Sequence, residues 1–234
     1  MSTLEAPRRP TTRREPSQDD RPSTPWTTRA LVYYEQNRST VIGALVALVL
    51  FIAGAVAYSY YQEQRAQEAE DMLAQIVSVY ENGNYKQALQ GTAQTTGLLA
   101  LADNYGGSRS GNLARYYAAD ALYQTEQYDR ALKYYKAFEK GDNLLGASAY
   151  AGMAAVHENK EQFERAGDLY KQAAGVLPGN QSAKYLMQAG RAYLDAGAGE
   201  KARTVFERVK QNYPDSQQAD NVAMYLARLE AQSQ

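Results

Sequence analysis

An alanine with aromatic neighbours recurs at near-constant intervals along this chain. Aligning the stretches YENGNYKQAL, YQTEQYDRAL, HENKEQFERA and YLDAGAGEKA gives intervals of 43, 35 and 36 residues between the alanines Ala88, Ala131, Ala166 and Ala202. An aromatic residue lies three positions before the alanine, except at Gly199, and four positions after it, except at Thr92. One such unit cannot bury its own apolar face, so the period predicts several units stacked into an array.

The residues between the alanines predict helices. From residue 62 onward there is no long alternating run of β-branched residues, and glycine or proline interrupts the chain roughly every 12–18 residues. Pro178 and Pro214 each follow an alanine by twelve positions and should end a helix there. The small alanine lets two helices approach closely, and the neighbouring ring fills the space between successive helix pairs. The chain is therefore predicted to be all-α.

A run of 21 residues without a charged side chain, VIGALVALVLFIAGAVAYSYY, extends from Val41 to Tyr61. As a helix it is about 31 Å long, which matches the hydrocarbon core of a bilayer. Soluble helices are rarely apolar on every face over this length. A transmembrane helix is therefore predicted over residues 41–61, in preference to a buried core helix.

The charges that flank this span predict its orientation. Seven arginines precede it, whereas Arg65 is the only basic residue among the twenty that follow. This bias places the N-terminus in the cytoplasm and residues 62–234 outside the membrane. A cleavable signal ending near Ala55-Val56-Ala57 is the alternative, but its basic region would be about forty residues long, which is unusual.

Residues 1–40 are predicted to be a disordered, basic cytoplasmic tail. The first 25 residues hold five of the seven prolines and almost no large apolar side chain, so they cannot offset the entropy of ordering. Within this tail, Thr27 to Arg38 could form a short interfacial helix. Its apolar content, together with the preceding Trp26, is Leu31, Val32, Tyr33 and Tyr34.

The repeat resembles the tetratricopeptide repeat family over Met72 to Glu230. That resemblance implies a right-handed solenoid of helical hairpins. It divides residues 62–234 into four repeats and a C-terminal capping helix. The layout of basic tail, anchor, four repeats and the ending VFERVKQNYPDSQQADNVAMYLARLEA resembles the ancillary Sec translocon subunit family of bacterial inner membranes. The second resemblance implies periplasmic repeats, with the Sec translocon, periplasmic chaperones or client chains as partners.

Motifs for catalysis, cofactors and metals are missing from the sequence. There is no cysteine and one histidine, His157, which is too few for a zinc site. His157 falls where a repeat usually carries tyrosine, so a packing role is predicted rather than that of a general base. GGSRSG at residues 106–111 fits neither a phosphate loop nor a nucleophile turn and is interpreted as a plain loop. A net charge of -1 does not favour binding to nucleic acid. We expect no enzyme, no cofactor and no metal.

Seven residues are predicted to share the concave face of the array, because the repeat geometry projects them onto the inner side of the first helices. They are Tyr80, Tyr116, Asp120, Tyr123, Glu158, Arg191 and Leu194. Exposed tyrosine and arginine are favoured binding anchors. The alternative is that these residues are ordinary surface and inter-hairpin residues.

Two functions are compatible with these patterns. The first is a membrane-anchored protein-binding scaffold on the periplasmic side, which assists protein translocation or chaperoning beside the Sec translocon and contacts the bilayer through its anchor. The alternative is a structural or oligomerising tether of another envelope assembly, such as cell-wall or division machinery, in which the chain could form homo-oligomers.

Overall fold

The computed structural model describes residues 25–232, which form two compact units divided between Ser59 and Tyr60. The described residues contain α-helices and no strand longer than an isolated bridge between Gly91 and Thr96. The helices are α1 (Trp26–Gln36), α2 (Arg38–Glu81), α3 (Tyr85–Gln90), α4 (Leu98–Asn104), α5 (Arg109–Gln124), α6 (Tyr128–Ala137), α7 (Leu144–Asn159), α8 (Phe163–Val176), α9 (Asn180–Asp195), α10 (Gly199–Asn212) and α11 (Gln217–Gln232).

The first unit contains α1 and the apolar part of α2. The predicted disordered tail lies outside the described residues up to residue 24. From Trp26 to Gln36 the chain is helical, so the expected disorder is not found over these residues, and a helix lies where a short interfacial one was considered. Asn37 ends α1, because its backbone N–H and its side-chain Nδ2 both donate to the carbonyl of Tyr33, at 2.9 and 3.2 Å.

One described helix, α2, is long and apolar enough to cross a membrane by its length and composition, and none of its most apolar window is buried. Leu50, Phe51 and Val56 are each more than 60% exposed. Such a surface is stable where lipid rather than water surrounds it.

The second unit is a series of helical hairpins, α5–α6, α7–α8 and α9–α10, with α11 packed against α10 and α9. The same turn follows the first helix of every repeat. Its central residues are Gly83, Glu126, Glu161 and Gly197, all with positive φ between 55° and 76°. Each lies five positions before the repeated alanine. The spacing between turn and alanine is therefore constant in all four repeats, including the two that the longer 43-residue interval separates. Backbone hydrogen bonds close each turn as at other left-handed helix ends.

The repeated alanines lie in the interior of the array, between packed helices. Ala88, Ala131, Ala166 and Ala202 are all fully buried, as predicted. Glycines provide further close contacts in later hairpins. A Cβ added to Gly152, Gly167 or Gly190 would lie 2.1 to 2.6 Å from a ring atom of Tyr135, Tyr193 or Phe206, respectively. A side chain at any of these three glycines would therefore collide with the neighbouring ring.

The first repeat differs from the others, because two short helices, α3 and α4, stand where one second helix was expected. Gly91, at φ 90°, ends α3 in a conformation that favours glycine. Leu98 and Leu101 of α4 are fully buried. In the GGSRSG segment, α5 already begins at Arg109, and Ser108 caps it by accepting a hydrogen bond from the N–H of Gly111 at 3.0 Å. Part of the predicted loop is thus a helix start.

Buried side chains form two clusters. The N-terminal core, defined by residues of α2 to α6, includes Ile76, Leu122 and Tyr135. The C-terminal core, defined by residues of α8 to α11, includes Leu186, Tyr193 and Phe206. Helix α7 contributes to both clusters.

Candidate functional site

The predicted binding residues all lie on the first helices of their repeats. Tyr80 is in the last turn of α2, and Tyr116, Asp120 and Tyr123 share one face of α5. The others are on the equivalent helices of later repeats, Glu158 on α7 and both Arg191 and Leu194 on α9. Helical spacing accounts for this placement, since positions i, i+4 and i+7 lie on one face.

Asp120 is the centre of a tyrosine cluster that joins three helices. The hydroxyl of Tyr80 donates to Oδ2 of Asp120 at 2.6 Å, and the hydroxyl of Tyr135 donates to Oδ1 at 3.4 Å. Burial, followed by the adjacent carboxylate, raises the pKa of Tyr80 and of Tyr135. Tyr116 borders the cluster, with its ring centroid 6.2 Å from that of Tyr135 and 5.6 Å from that of Phe138.

A second cluster surrounds Glu158. The hydroxyl of Tyr170 donates to Oε2 of Glu158 at 2.8 Å. Burial, then the charge of Glu158, raises the pKa of Tyr170, and the nearby positive charge of Arg191 opposes this shift. Nδ2 of Asn159 donates to the hydroxyl of Tyr123 at 3.0 Å. The first pair links α8 to α7, and the second links α7 to α5 of the preceding repeat.

The geometry changes the interpretation of the predicted tyrosines. Tyr80, Tyr116 and Tyr123 are half-buried rather than exposed, and hydrogen bonds or ring contacts engage each of them. Whether the seven residues converge on one groove that binds a partner stays a prediction. Arg191 is exposed, and it lies with Leu194 in a cleft that α11 completes. Tyr225 and Arg228 also line this cleft and were not among the predicted residues, although their i, i+3 spacing on the capping helix was a usable signal.

His157 has surroundings that suit a packing role. It is 8% exposed, and its Nδ1 lies 2.7 Å from Oε1 of Gln162. Gln162 also donates its backbone N–H to the carbonyl of His157 at 2.8 Å. Among residues 25–232, no group of three or more His, Asp or Glu side chains could hold a metal ion.

Stacked hairpins with small residues at helix contacts, repeated turns and a capping helix define an α-helical repeat protein. The model of the tetratricopeptide repeat-like domain family matches residues 32–231, and the chain belongs to this family. Such repeats generally mediate protein–protein interactions, and the fold is typically a non-catalytic scaffold. No curated protein matches the chain.

Two solved structures resemble the chain. One is a crystal structure of a variant of nearly identical TPR-like repeats, described as from a kinesin light chain of Podosopora anserina. It has a TM-score of 0.52 and 13% identity, and the match covers 70% of this chain and 85% of that one. Another structure of such repeats has a TM-score of 0.48 and 13% identity, and the match covers 72% of this chain and 98% of that one. At this identity the first supports the fold alone.

Proposed function

We propose that this chain is a membrane-anchored scaffold that binds other proteins through its repeat array. The observation that carries the proposal is the combination of two parts in one chain. One part is an uncharged helical segment with exposed apolar side chains, and the other is a repeat unit with its own buried cores. The first suits lipid, and the second presents polar and aromatic side chains on a fixed framework.

The proposal places residues 41–61 in the inner membrane of a bacterium, with the N-terminus in the cytoplasm and the repeats in the periplasm. The arginine bias before the span supports this orientation. We further propose that the scaffold assists protein translocation or chaperoning beside the Sec translocon. The support for this role is the resemblance in layout: a basic tail, one anchor, and repeats closed by a capping helix.

A structural or oligomerising tether is the second candidate. The observation that favours it is the engagement of the predicted binding tyrosines inside the protein. Tyr80 bonds Asp120, and Tyr123 accepts from Asn159, so part of the predicted face already has intramolecular partners. A tether needs no free binding face.

Protease accessibility tests the topology. Protease added to spheroplasts should digest residues 62–234 and spare the N-terminal tail, and lysed spheroplasts serve as the control in which both are digested. Protection of the repeats in intact spheroplasts would contradict the periplasmic location and the function that depends on it.

Crosslinking separates the two candidate functions. A photoreactive residue placed within 41–61 of the full chain, in intact membranes, should give adducts with translocon subunits if the scaffold works beside the translocon. Adducts only between copies of this chain would favour the oligomerising tether instead.

A further inference from the structure

A cleft between α9 and α11 lies at the C-terminal end of the repeat unit and has no assigned role. It has a volume of about 370 Å³ and is lined by three residues from each helix: Arg191, Leu194, Asp195, Tyr225, Arg228 and Leu229. On each helix these residues are spaced i, i+3 and i+4, which places them on one face. Each face therefore brings a guanidinium and an apolar side chain to the cleft.

Beside the cleft, the last repeat departs from the pattern of an earlier one. In the second repeat, Tyr128 packs on Tyr123 with ring centroids 5.6 Å apart. The equivalent positions of the last repeat hold Gly199 and Leu194. Leu229 of α11 approaches Gly199 instead, with its Cδ2 3.6 Å from where a Cβ on that glycine would lie. The smaller side chains of the last repeat thus admit a side chain of the capping helix, which brings α11 to the cleft.

The floor of the cleft is held in place by the C-terminal core. The ring of Tyr225 stacks on that of Phe206, with centroids 5.2 Å apart and planes 23° from parallel. Phe206 is fully buried, and Leu229 is 9% exposed. Because these floor side chains are already fixed, they lose little conformational entropy when a ligand binds.

The two guanidiniums are available to a ligand. Arg191 and Arg228 are both exposed, and neither forms an ion pair with another side chain of residues 25–232. Among the six residues that line the cleft, two arginines against Asp195 leave an excess of positive charge. Arginine pairs with carboxylates through two parallel hydrogen bonds, which gives strong and directional binding. A bare inorganic anion would leave the apolar surface of Leu194 and Leu229 uncovered.

We propose that this cleft binds an acidic side chain of a partner protein together with the aliphatic side chain next to it. The carboxylate lies between Arg191 and Arg228, and the aliphatic group covers Leu194 and Leu229. This inference rests on the proposed scaffold function and names the chemistry of the segment that the scaffold recognises.

Binding of a defined peptide tests the inference. The probe is a fluorescein-labelled Gly-Ser peptide with one Leu-Glu-Leu-Glu segment and an amidated C-terminus, which removes the terminal carboxylate. The matched peptide carries Leu-Gln-Leu-Gln. Fluorescence anisotropy is measured with the full chain in lipid nanodiscs. The glutamate peptide should bind about tenfold or more tightly than the glutamine peptide, as expected for hydrogen bonds to charged groups.

Substitutions locate the binding. Arg228→Gln and Arg191→Gln should each weaken binding of the glutamate peptide about tenfold, with little effect on the glutamine peptide. Arg208→Gln on α10 removes the same charge from an exposed position outside the cleft and should change affinity less than about twofold. Because all three positions are exposed, the circular dichroism spectrum should be unchanged.

Equal binding of both peptides, or equal loss from Arg208→Gln and Arg228→Gln, would overturn the inference, because general charge attraction would then explain the result. Its failure is distinguishable from failure of the proposed function. If translocon adducts form at the anchor while the peptide does not bind, only the cleft inference fails. If the peptide binds as expected but the anchor gives only self-adducts, the cleft stands and the translocon role fails.

Discussion

The two cores of the repeat unit use the same kinds of contact but arrange them differently. In the N-terminal core, tyrosine rings meet edge to face, and two hydroxyls donate to one half-buried carboxylate, that of Asp120. In the C-terminal core, each buried tyrosine hydroxyl donates to a carboxylate of its own, Tyr170 to Glu158 at 2.8 Å and Tyr193 to Asp168 at 2.6 Å. Rings lie against glycines in both cores, as Tyr135 does on Gly152 and Phe206 on Gly190. The turns are alike throughout. A repeat fold therefore fixes where helices meet, while the chemistry at each contact can vary.

This difference has a consequence for binding. In the N-terminal core, Asp120 accepts hydrogen bonds from two tyrosine hydroxyls, so its carboxylate is less available to a partner. At the C-terminal end the apolar contacts leave Arg191 and Arg228 unpaired among the described residues. We expect the C-terminal end to contribute charged recognition and the N-terminal end to contribute rigidity.

The largest expected loss of stability follows from removing the Asp120 carboxylate of the N-terminal core. Asp120→Ala leaves the hydroxyls of Tyr80 and Tyr135 without their acceptor and should cost about 1–3 kcal/mol of unfolding free energy for each hydroxyl that stays buried. Chemical denaturation of the full chain in detergent, followed by circular dichroism, measures it. Asp129→Ala is the control, because the Asp129 side chain is 86% exposed in its ion pair with Lys160 and should contribute about 1 kcal/mol or less. Equal costs would contradict the role given to Asp120.

A glycine substitution tests the C-terminal core. Gly190→Ala places a Cβ 2.1 Å from the Phe206 ring and should cost about 1–3 kcal/mol through overpacking. Gly175→Ala is the matched control, since nothing lies within 4 Å of its added Cβ. Helix propensity alone favours alanine by about 1 kcal/mol, so this control should be neutral or stabilising. A stabilising Gly190→Ala would show that the ring does not press on this helix.

High pH should destabilise the protein through its buried tyrosines. Burial and adjacent carboxylates raise the pKa of Tyr80, Tyr135 and Tyr170 in the folded state above the ordinary value near 10. Their contribution to stability is therefore fully present below about pH 10 and is lost as the pH rises above it, because only the unfolded chain ionises readily. Melting temperatures should be flat from about pH 7 to 9 and fall above about pH 10.

The pH effect also compares the cores. A variant with Tyr80→Phe and Tyr135→Phe should reduce the alkaline slope of the melting temperature more than Tyr170→Phe does, because it removes two of these hydroxyls rather than one. An unchanged slope in both variants would mean that these tyrosines do not cause the alkaline loss.

The smallest expected effect concerns the turns, where the cores should behave alike. Glu126 and Glu161 have φ values of 60° and 55°, where Gly83 and Gly197 stand in the other repeats. Glycine removes a left-handed strain of about 1–2 kcal/mol, partly offset by the greater freedom of the unfolded chain. Glu126→Gly and Glu161→Gly should thus each stabilise by less than about 1 kcal/mol. Opposite signs in thermal melts would show that the two turns are not equivalent.

Much of the fold could be predicted from local pattern. The alanine register, the all-helical class and the apolar helix depend on spacing and composition within short stretches, which the sequence displays directly. The division of α3 from α4 was missed because its cause, the conformation at Gly91, is one of many that glycine allows.

The candidate site was less predictable because its contacts join distant residues. The bond from Tyr80 to Asp120 spans 40 positions, and that from Tyr170 to Glu158 depends on how α8 lies against α7. Periodicity places a residue on a face of its helix but does not say what the next hairpin brings to it. The cleft at α11 required the rotation of the capping helix, which the repeat pattern does not encode.

One measurement tests the scaffold most directly. A photoreactive p-benzoylphenylalanine replaces Leu194 in the cleft or, as the control, Arg208 on α10, in the full chain within intact membranes. The account predicts an adduct with another protein from position 194 that is absent from position 208 and is lost when Arg228→Gln is added. The same adducts from both positions, or adducts only with other copies of this chain, would contradict it.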